Sequence, residues 1–433
     1  MNRSLHFRPF RPFRPFLAPL CGLALLLSAG LPAAAASEGK LIQQIRDVGL
    51  NPDDMVLPTQ LTPEMVTWVN ETVSSKGTVE KRLRSLLHAL LDPDEGLGLQ
   101  YEGNFTGTAA QVFQSRKANC LGFTQLYVAL AREIGLNVYF LQVRDLHSYY
   151  QEGDLVISSG HVTVGTGPER YRLILEFTEI EGIDYRYMNQ LSDLTALALF
   201  YSNRGAELLR QGQVADALPW LEKAVVLDPD LADGWINLGV GRRRTENLTG
   251  AEIAYRRALE ADPQASAAYQ NLAALYHRRG FTNEAQELLQ IASRRENRNP
   301  FTYIELGDIS MRLKDLESAE RFYRRALWLN DDVAETHAAL GWWASVAGEE
   351  RLAKKLLRRA ERIDPDNPRV ARLDQRLSGK DLGLNPDPEA ASNLGAGVQM
   401  AAVQAAPATQ AVAQPASYTK KALLPLRPAP PEN

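Results

Sequence analysis

Between residues 198 and 367 the apolar and small positions of the chain repeat every 34 residues. Tyr201, Trp235, Tyr269, Tyr303 and His337 mark one place in five successive units. Three and four residues on stand Arg204-Gly205, Leu238-Gly239, Leu272-Ala273, Leu306-Gly307 and Leu340-Gly341. Further on, Ala217, Ala251, Ala285, Ala319 and Ala353 share a register, as do Ala224, Ala258, Ala292, Ala326 and Ala360. The spacing predicts two antiparallel helices per unit, with small residues where the helices approach closely and large ones filling the groove between them. Pro229, Pro263 and Pro365 fall at one register, where a proline ends the second helix. Units of this kind bury their apolar faces by stacking on one another, so the pattern predicts a helical solenoid. Residues 368–377 read as a capping helix for its last face.

Upstream the pattern is mixed. Thr62–Leu91 reads as helical, with Leu83, Leu86, Leu87, Leu90 and Leu91 on its apolar positions and Asp92-Pro93 as the stop. Gly103–Ala118 reads as loop with a short helical turn. Asn119 is a good N-cap, and Leu121–Leu136 follows as a helix with Leu126, Leu130 and Ile134 on one stripe and Gly135 as its stop signal. Asn137–Val143, His161–Thr166 and Tyr171–Phe177 alternate as strands. Gly167-Pro168-Glu169-Arg170 makes the turn between the last two, and with Pro168 and Glu169 central His161 stands directly opposite Glu176.

The chain of 433 residues is 45% hydrophobic and 23% charged, enough apolar material for two or three folded units. Arg3, Arg8, Arg11 and Arg14 precede an apolar run from Leu17 to Leu31 and the small residues Ala33–Ala36. That is the layout of a secretory leader cleaved near Ala36, too short in its apolar run to span a bilayer. The leader holds four of the 48 basic residues and no acid, so the formal charge falls from −4 to −8 on its removal. An acidic total excludes a general nucleic-acid binder. Of the two cysteines Cys21 leaves with the leader, and the exported chain keeps Cys120 as its single thiol. After Gly379 the composition turns to Ala, Pro, Gln and Asn without periodicity, and this tail is expected to be disordered.

The 34-residue units resemble the tetratricopeptide repeat, over about residues 198–367. Arg204 departs from the usual Leu in the first unit, and Asn297 from the terminal Pro in the third. The resemblance implies a concave groove for a peptide or protein partner. The inward places that hold a terminal carboxylate in some such repeats carry Ala206, Val240, Ala274, Asp308 and Trp342, which make no clamp. Arg256-Arg257, Arg324-Arg325 and Arg358-Arg359 recur in the second helices and read as a solvated outer face.

The remaining segment holds the candidate chemistry. At the first position of a helix, the free N–H groups and the positive end of the macrodipole favour the thiolate of Cys120. Asn119-Cys120, the helix after it, Gly160-His161-Val162 on one strand and Leu175-Glu176-Phe177 on the next resemble the transglutaminase-like superfamily in its bacterial form, over roughly Thr62–Ile183. That resemblance implies Cys120 as nucleophile, His161 as general base and acid, and Glu176, where the family usually has Asp, as the orienting carboxylate. It implies acyl transfer through a thioester. Cys120 as an inert core residue, His161 as a strand histidine and Glu176 as a solvent-facing carboxylate are each common alone; their joint order favours a triad. His147 is a rival base, and Gln114 reads as a surface residue. No acidic cluster has calcium-ligand spacing, so no metal or cofactor is expected.

The chain is thus expected to comprise a signal peptide (1–36), an α+β transglutaminase-like or papain-like cysteine domain (37–190), a five-repeat all-α solenoid with its capping helix (191–378) and a disordered tail (379–433). Two functions stay open. One is an exported cysteine-dependent hydrolase or acyltransferase, periplasmic or else secreted, acting on peptide or protein amides, its repeats recruiting substrate or partner. The other is a non-catalytic scaffold whose cysteine domain is a pseudoenzyme and whose repeats bind an envelope protein.

Overall fold

The structure, a computed structural model, describes residues 33–152, 155–169, 172–177, 188–295, 298–379, 398–403 and 427–428, with backbone alone for 33–35, 144–152, 155–159 and the last two segments. The leader proper, the rest of the tail and Asn297 lie outside the described residues. Helix α1 (Ala33–Asp47) opens the described chain and buries Leu41 and Ile45 in the core.

The stretch 62–91, expected as one helix, is two: α2 (Pro63–Thr72) and α3 (Val79–Leu91). The break has a local cause. Ser74-Ser75-Lys76-Gly77 interrupts the apolar stripe, Gly77 takes a positive φ of 117°, and the Thr78 hydroxyl accepts from the Lys81 N–H to start α3 afresh. Strand β1 (Gln100–Tyr101), helix α4 (Ala109–Ser115) and strand β2 (Lys117–Ala118), which pairs in parallel with β1, lead to α5 (Cys120–Glu133). Nearly all of α5 is buried, which suits its apolar sequence.

Behind α5 lies a sheet of β3 (Val138–Glu152), β4 (Leu155–Thr166), β5 (Leu173–Leu175) and β6 (Met188–Leu191). Its order is β6-β3-β4-β5, all antiparallel neighbours. Strand β3 runs well past Val143, with a register shift between Val143 and Ser148. Two short tail segments join the sheet, β7 (Val398–Val403) on β4 and β8 (Arg427–Pro428) on β5. The expectation of a wholly unstructured tail is corrected there. Val398–Val403 lacks Pro and Gly and has β-branched ends, but six residues order as a strand only against an edge that accepts them.

The solenoid follows as five helix pairs: α6 (Asp193–Arg210) with α7 (Val214–Leu227), α8 (Ala232–Arg244) with α9 (Leu248–Ala261), α10 (Ser266–Arg278) with α11 (Thr282–Arg295), α12 (Pro300–Arg312) with α13 (Leu316–Leu329), and α14 (Ala334–Val346) with α15 (Glu350–Ile363). The second helices start 34 residues apart, in the register read from the sequence. Helix α16 (Pro368–Leu377) caps the stack, burying Val370 and Leu373 against Ala334, Ala338, Leu357 and Ala360. Arg369 of this cap reaches Asp308 with both Nη atoms, at 2.8 and 2.7 Å, and Tyr323 donates to the same carboxylate at 2.6 Å. The inward Asp308 is therefore spent on internal structure. The arginine pairs of the second helices are largely neutralised nearby, Arg256 by Glu252, Arg257 by Glu260, Arg324 by Glu320 and Arg359 by Asp332, as suits a solvated outer face.

The first helix pair is not separate from the cysteine domain. Ala196–Tyr201, Ala224, Leu227 and Leu231 belong to the same apolar core as α1–α5 and the sheet. Arg132 of α5 forms a two-pronged pair with Asp193 of α6, both contacts 2.9 Å, and the Tyr201 hydroxyl accepts from the Val56 N–H at 2.7 Å. The described residues beyond the leader accordingly fall in one compact unit.

The small positions of the repeats test this packing. A Cβ at Gly239 would lie 2.3 Å from the Tyr255 ring, and one at Gly307 2.3 Å from Tyr323. The third unit tolerates Ala273 because Leu289 stands where its neighbours have tyrosine. Gly239→Ala is expected to lower stability by about 1–3 kcal/mol through overpacking, despite the better helix propensity of alanine. Urea unfolding checks it; Ala273→Gly, which relieves no clash, should show no gain.

Candidate functional site

Asn119 caps α5 as the sequence implies, its Oδ1 accepting from the Gly122 N–H at 2.9 Å. Cys120 is the first residue of the helix and is fully buried. The Thr124 hydroxyl, one turn on, donates to the Cys120 carbonyl at 2.7 Å and lies 3.3 Å from the Val162 carbonyl, tying the start of α5 to β4 beside His161.

The hairpin register differs from the expected one. Val164 pairs with Leu175, and one further step sets Glu176 opposite Thr163, two residues from His161. A shift of two preserves the face, because side chains alternate with period two. His161 and Glu176 are therefore diagonal neighbours rather than directly opposed. The His161 Nε2 meets the Glu176 Oε2 at 2.9 Å, and both side chains are almost wholly out of solvent. Glu176 Oε1 accepts from the Phe177 N–H at 3.0 Å, and the Phe177 ring stacks on Phe123 of α5 with centroids 3.7 Å apart. That stack holds the end of β5 against the helix that carries Cys120.

The electrostatics follow from this geometry. Burial disfavours the charged ring of His161, but the attraction and hydrogen bond of the Glu176 carboxylate, together with the nearby Cys120 sulfur, outweigh it and push the imidazole up to about 10. Nδ1 is buried without a partner at ordinary hydrogen-bond geometry, yet the Cys120 sulfur is near enough to favour the protonated ring. The three residues singled out from the sequence thus converge. Gln114 is exposed on α4. The His147 side chain lies outside what the structure describes.

A second layer was not visible in the sequence. The Asn119 Nδ2 donates to the Thr106 hydroxyl at 2.7 Å, and the Thr106 N–H donates to Glu207 of α6 at 2.7 Å. Burial pushes the Glu207 carboxyl up, against the opposing pull of Thr106 and Arg204. Arg204 pairs with Glu207 at 2.5 Å and lies over the Trp220 ring, which accounts for its departure from the usual Leu. The repeat pattern marked Arg204 as irregular; nothing local linked it to Thr106. A cleft of about 480 Å³, lined by Gln142, Arg172, Asn189, Asp228 and neighbours, includes none of Cys120, His161 and Glu176. Its hydroxyls are those of Ser192 and Thr195, which are hydrogen-bonded to each other at the start of α6. Among the described residues no group of three or more His, Cys, Asp or Glu is arranged to hold a metal ion, and no helix is long and apolar enough to cross a membrane.

Comparison with known proteins bears on the repeats. Tetratricopeptide repeat models match residues 254–287 and 302–332. The helical part of the chain is a tetratricopeptide-repeat solenoid, an architecture that typically binds protein partners. The chain is 25% identical over 200 residues to a DnaJ homolog subfamily C member 7 homolog of Dictyostelium discoideum, covering 46% of this chain and 32% of that protein. It is 29% identical over 130 residues to the CTR9 homolog of Arabidopsis thaliana, covering 29% of this chain and 12% of that protein. The chain thus spans a third or less of the length of these relatives. Among solved structures, Pseudomonas aeruginosa PilF is 23% identical with a TM-score of 0.38, over 45% of this chain and 87% of that one.

The paired imidazole gives a pH dependence of stability. Its folded value near 10 exceeds the ordinary 6.5, so between these pH values the native state keeps a proton the unfolded chain has lost. The contribution is complete below about pH 6.5 and is lost as pH rises through about 10. Glu176→Gln should therefore destabilise most near pH 6 and hardly at all above pH 10, read by urea unfolding across the range. A difference constant with pH would contradict the pairing.

Proposed function

We propose that the protein is an exported, periplasmic cysteine-dependent acyltransferase or hydrolase acting on peptide or protein amides, in which the repeats recruit the substrate or a partner. The observation that carries this reading is the His161–Glu176 pair beside a thiol at the start of a capped helix. A transglutaminase-like domain over 37–190 is part of the same proposal.

In this mechanism the Cys120 thiolate attacks the carbonyl carbon of the amide, forming a C–S bond. Protonated His161 gives its proton to the departing nitrogen as the C–N bond breaks, leaving a thioester. Neutral His161 then takes a proton from water or from a second amine, which attacks the thioester carbonyl; the C–S bond breaks and the Cys120 thiolate leaves beside the reprotonated ring. Glu176 keeps the ring oriented and supports its charged form throughout. The Cys120 N–H, at the start of α5, is a candidate donor to the oxyanion.

One observation favours a second reading. Cys120 has no exposed surface, so a substrate reaches it only when a covering segment moves. A non-catalytic scaffold, with the repeats as its working surface and the triad as a buried structural network, needs no such movement.

Iodoacetamide alkylation of the exported chain separates the two. The catalytic reading expects rapid modification of Cys120 at pH 6 and a loss of about tenfold or more in rate in His161→Ala, since the imidazolium partner is what favours the thiolate there. A thiol that stays unreactive, or is indifferent to His161, leaves the scaffold.

A further inference from the structure

Unpaired strand edges are templates for extended peptides. The outer edge of β4 is divided: β5 pairs with Val164–Thr166, β7 pairs in parallel with Leu155–Gly160, and His161 stands between the two ladders. The last pair of the β7 ladder is Gly160 with Val403. An extended segment in this register therefore runs toward His161 and ends its pairing one residue short of it. The same segment also lies against α6, α8 and α10, the first helices of the first three repeats. Its chemistry is uniform, since no charged residue occurs between Ala390 and Thr419.

We infer that the β4 edge at Leu155–Gly160, walled by the first helices of the solenoid, is a binding site for an extended, uncharged peptide segment lying parallel to β4, and that residues 398–403 of this chain are its resident occupant. Main-chain pairing supplies the affinity. As a statement of substrate class the inference rests on the catalytic reading above: a bound segment would present its residues beyond the ladder to His161 and Cys120, and the resident tail would compete with it. The site itself stands without that chemistry.

The test uses the full exported chain and a fluorescein-labelled peptide with the sequence of Gly397–Ala405. In one form of the protein Met400 and Ala401 are both replaced (Met400→Pro, Ala401→Pro), because alternate residues of a strand turn their N–H to the partner and adjacent prolines remove a ladder donor in either parity. A tethered occupant competes at an effective concentration of order millimolar. Anisotropy is therefore expected to show the peptide binding the double variant at least about tenfold more tightly than wild type. Hydrogen exchange in unmodified protein should show protected amides within Leu155–Gly160 that exchange at least about tenfold faster in the variant. Equal or absent peptide binding in both forms, or amides at 155–160 and 398–403 that exchange as in an open chain in wild type, would overturn the inference. Cys120→Ser keeps the two readings apart: binding should persist in it, so binding with an inert thiol refutes the catalysis and retains the site, whereas a reactive thiol without binding does the reverse.

Discussion

A buried asparagine amide has one acceptor oxygen and one donor nitrogen to satisfy, and Asn119 uses them in opposite directions. Its oxygen caps α5 and its nitrogen holds Thr106, whose own N–H is fixed by Glu207 in the first helix of the solenoid. Each group in this chain is buried, so leaving any one without its partner costs the desolvation of a polar group, about 1–3 kcal/mol. The position of Cys120 thus depends on the solenoid being in place. The Arg132–Asp193 pair and the shared apolar core make the same coupling at the other end of α5.

The solenoid shows how little side-chain bulk its geometry allows at the helix crossings. Gly239 and Gly307 admit the rings of Tyr255 and Tyr323, and each ring fills space that a Cβ would claim. At the far end the apolar face is closed by α16, whose Arg369 is held among Asp308, Glu335 and Tyr323. A guanidinium taken that far from water persists where carboxylates surround it, and the neighbouring acids hold it firmly charged. This end of the inner surface is committed to internal pairing, whereas the end nearest the cysteine domain meets β7.

At the candidate site, burial and pairing work against each other. Removing imidazole from water favours its neutral form, and the carboxylate 2.9 Å away reverses that preference. The reversal requires Glu176 on the same face as His161, which the hairpin parity provides and the Phe123–Phe177 stack maintains. A ring that stays protonated at neutral pH beside a thiol suits a nucleophile awaiting a substrate. It equally suits a buried ionic network, and access to Cys120 is what divides these roles.

The sequence by itself determined whatever depends on near neighbours along the chain. The 34-residue period, the capped start of α5 at Asn119 and the pairing of His161 with Glu176 on one face were legible, because helix and strand periodicities and caps are written within a few residues. A face follows from parity alone, which is why the pair survived a register shifted by two. The break at Gly77 was legible too, and the continuous apolar stripes on either side obscured it. Only the tertiary structure decided what depends on distant segments meeting: that Glu207, paired with Arg204, reaches Thr106, that the first repeat shares a core with the cysteine domain, and that Val398–Val403 pairs with β4. Such contacts leave no period in the sequence, since each side is satisfied by a partner about a hundred or more residues away, and the closing of those long loops is governed by the whole fold.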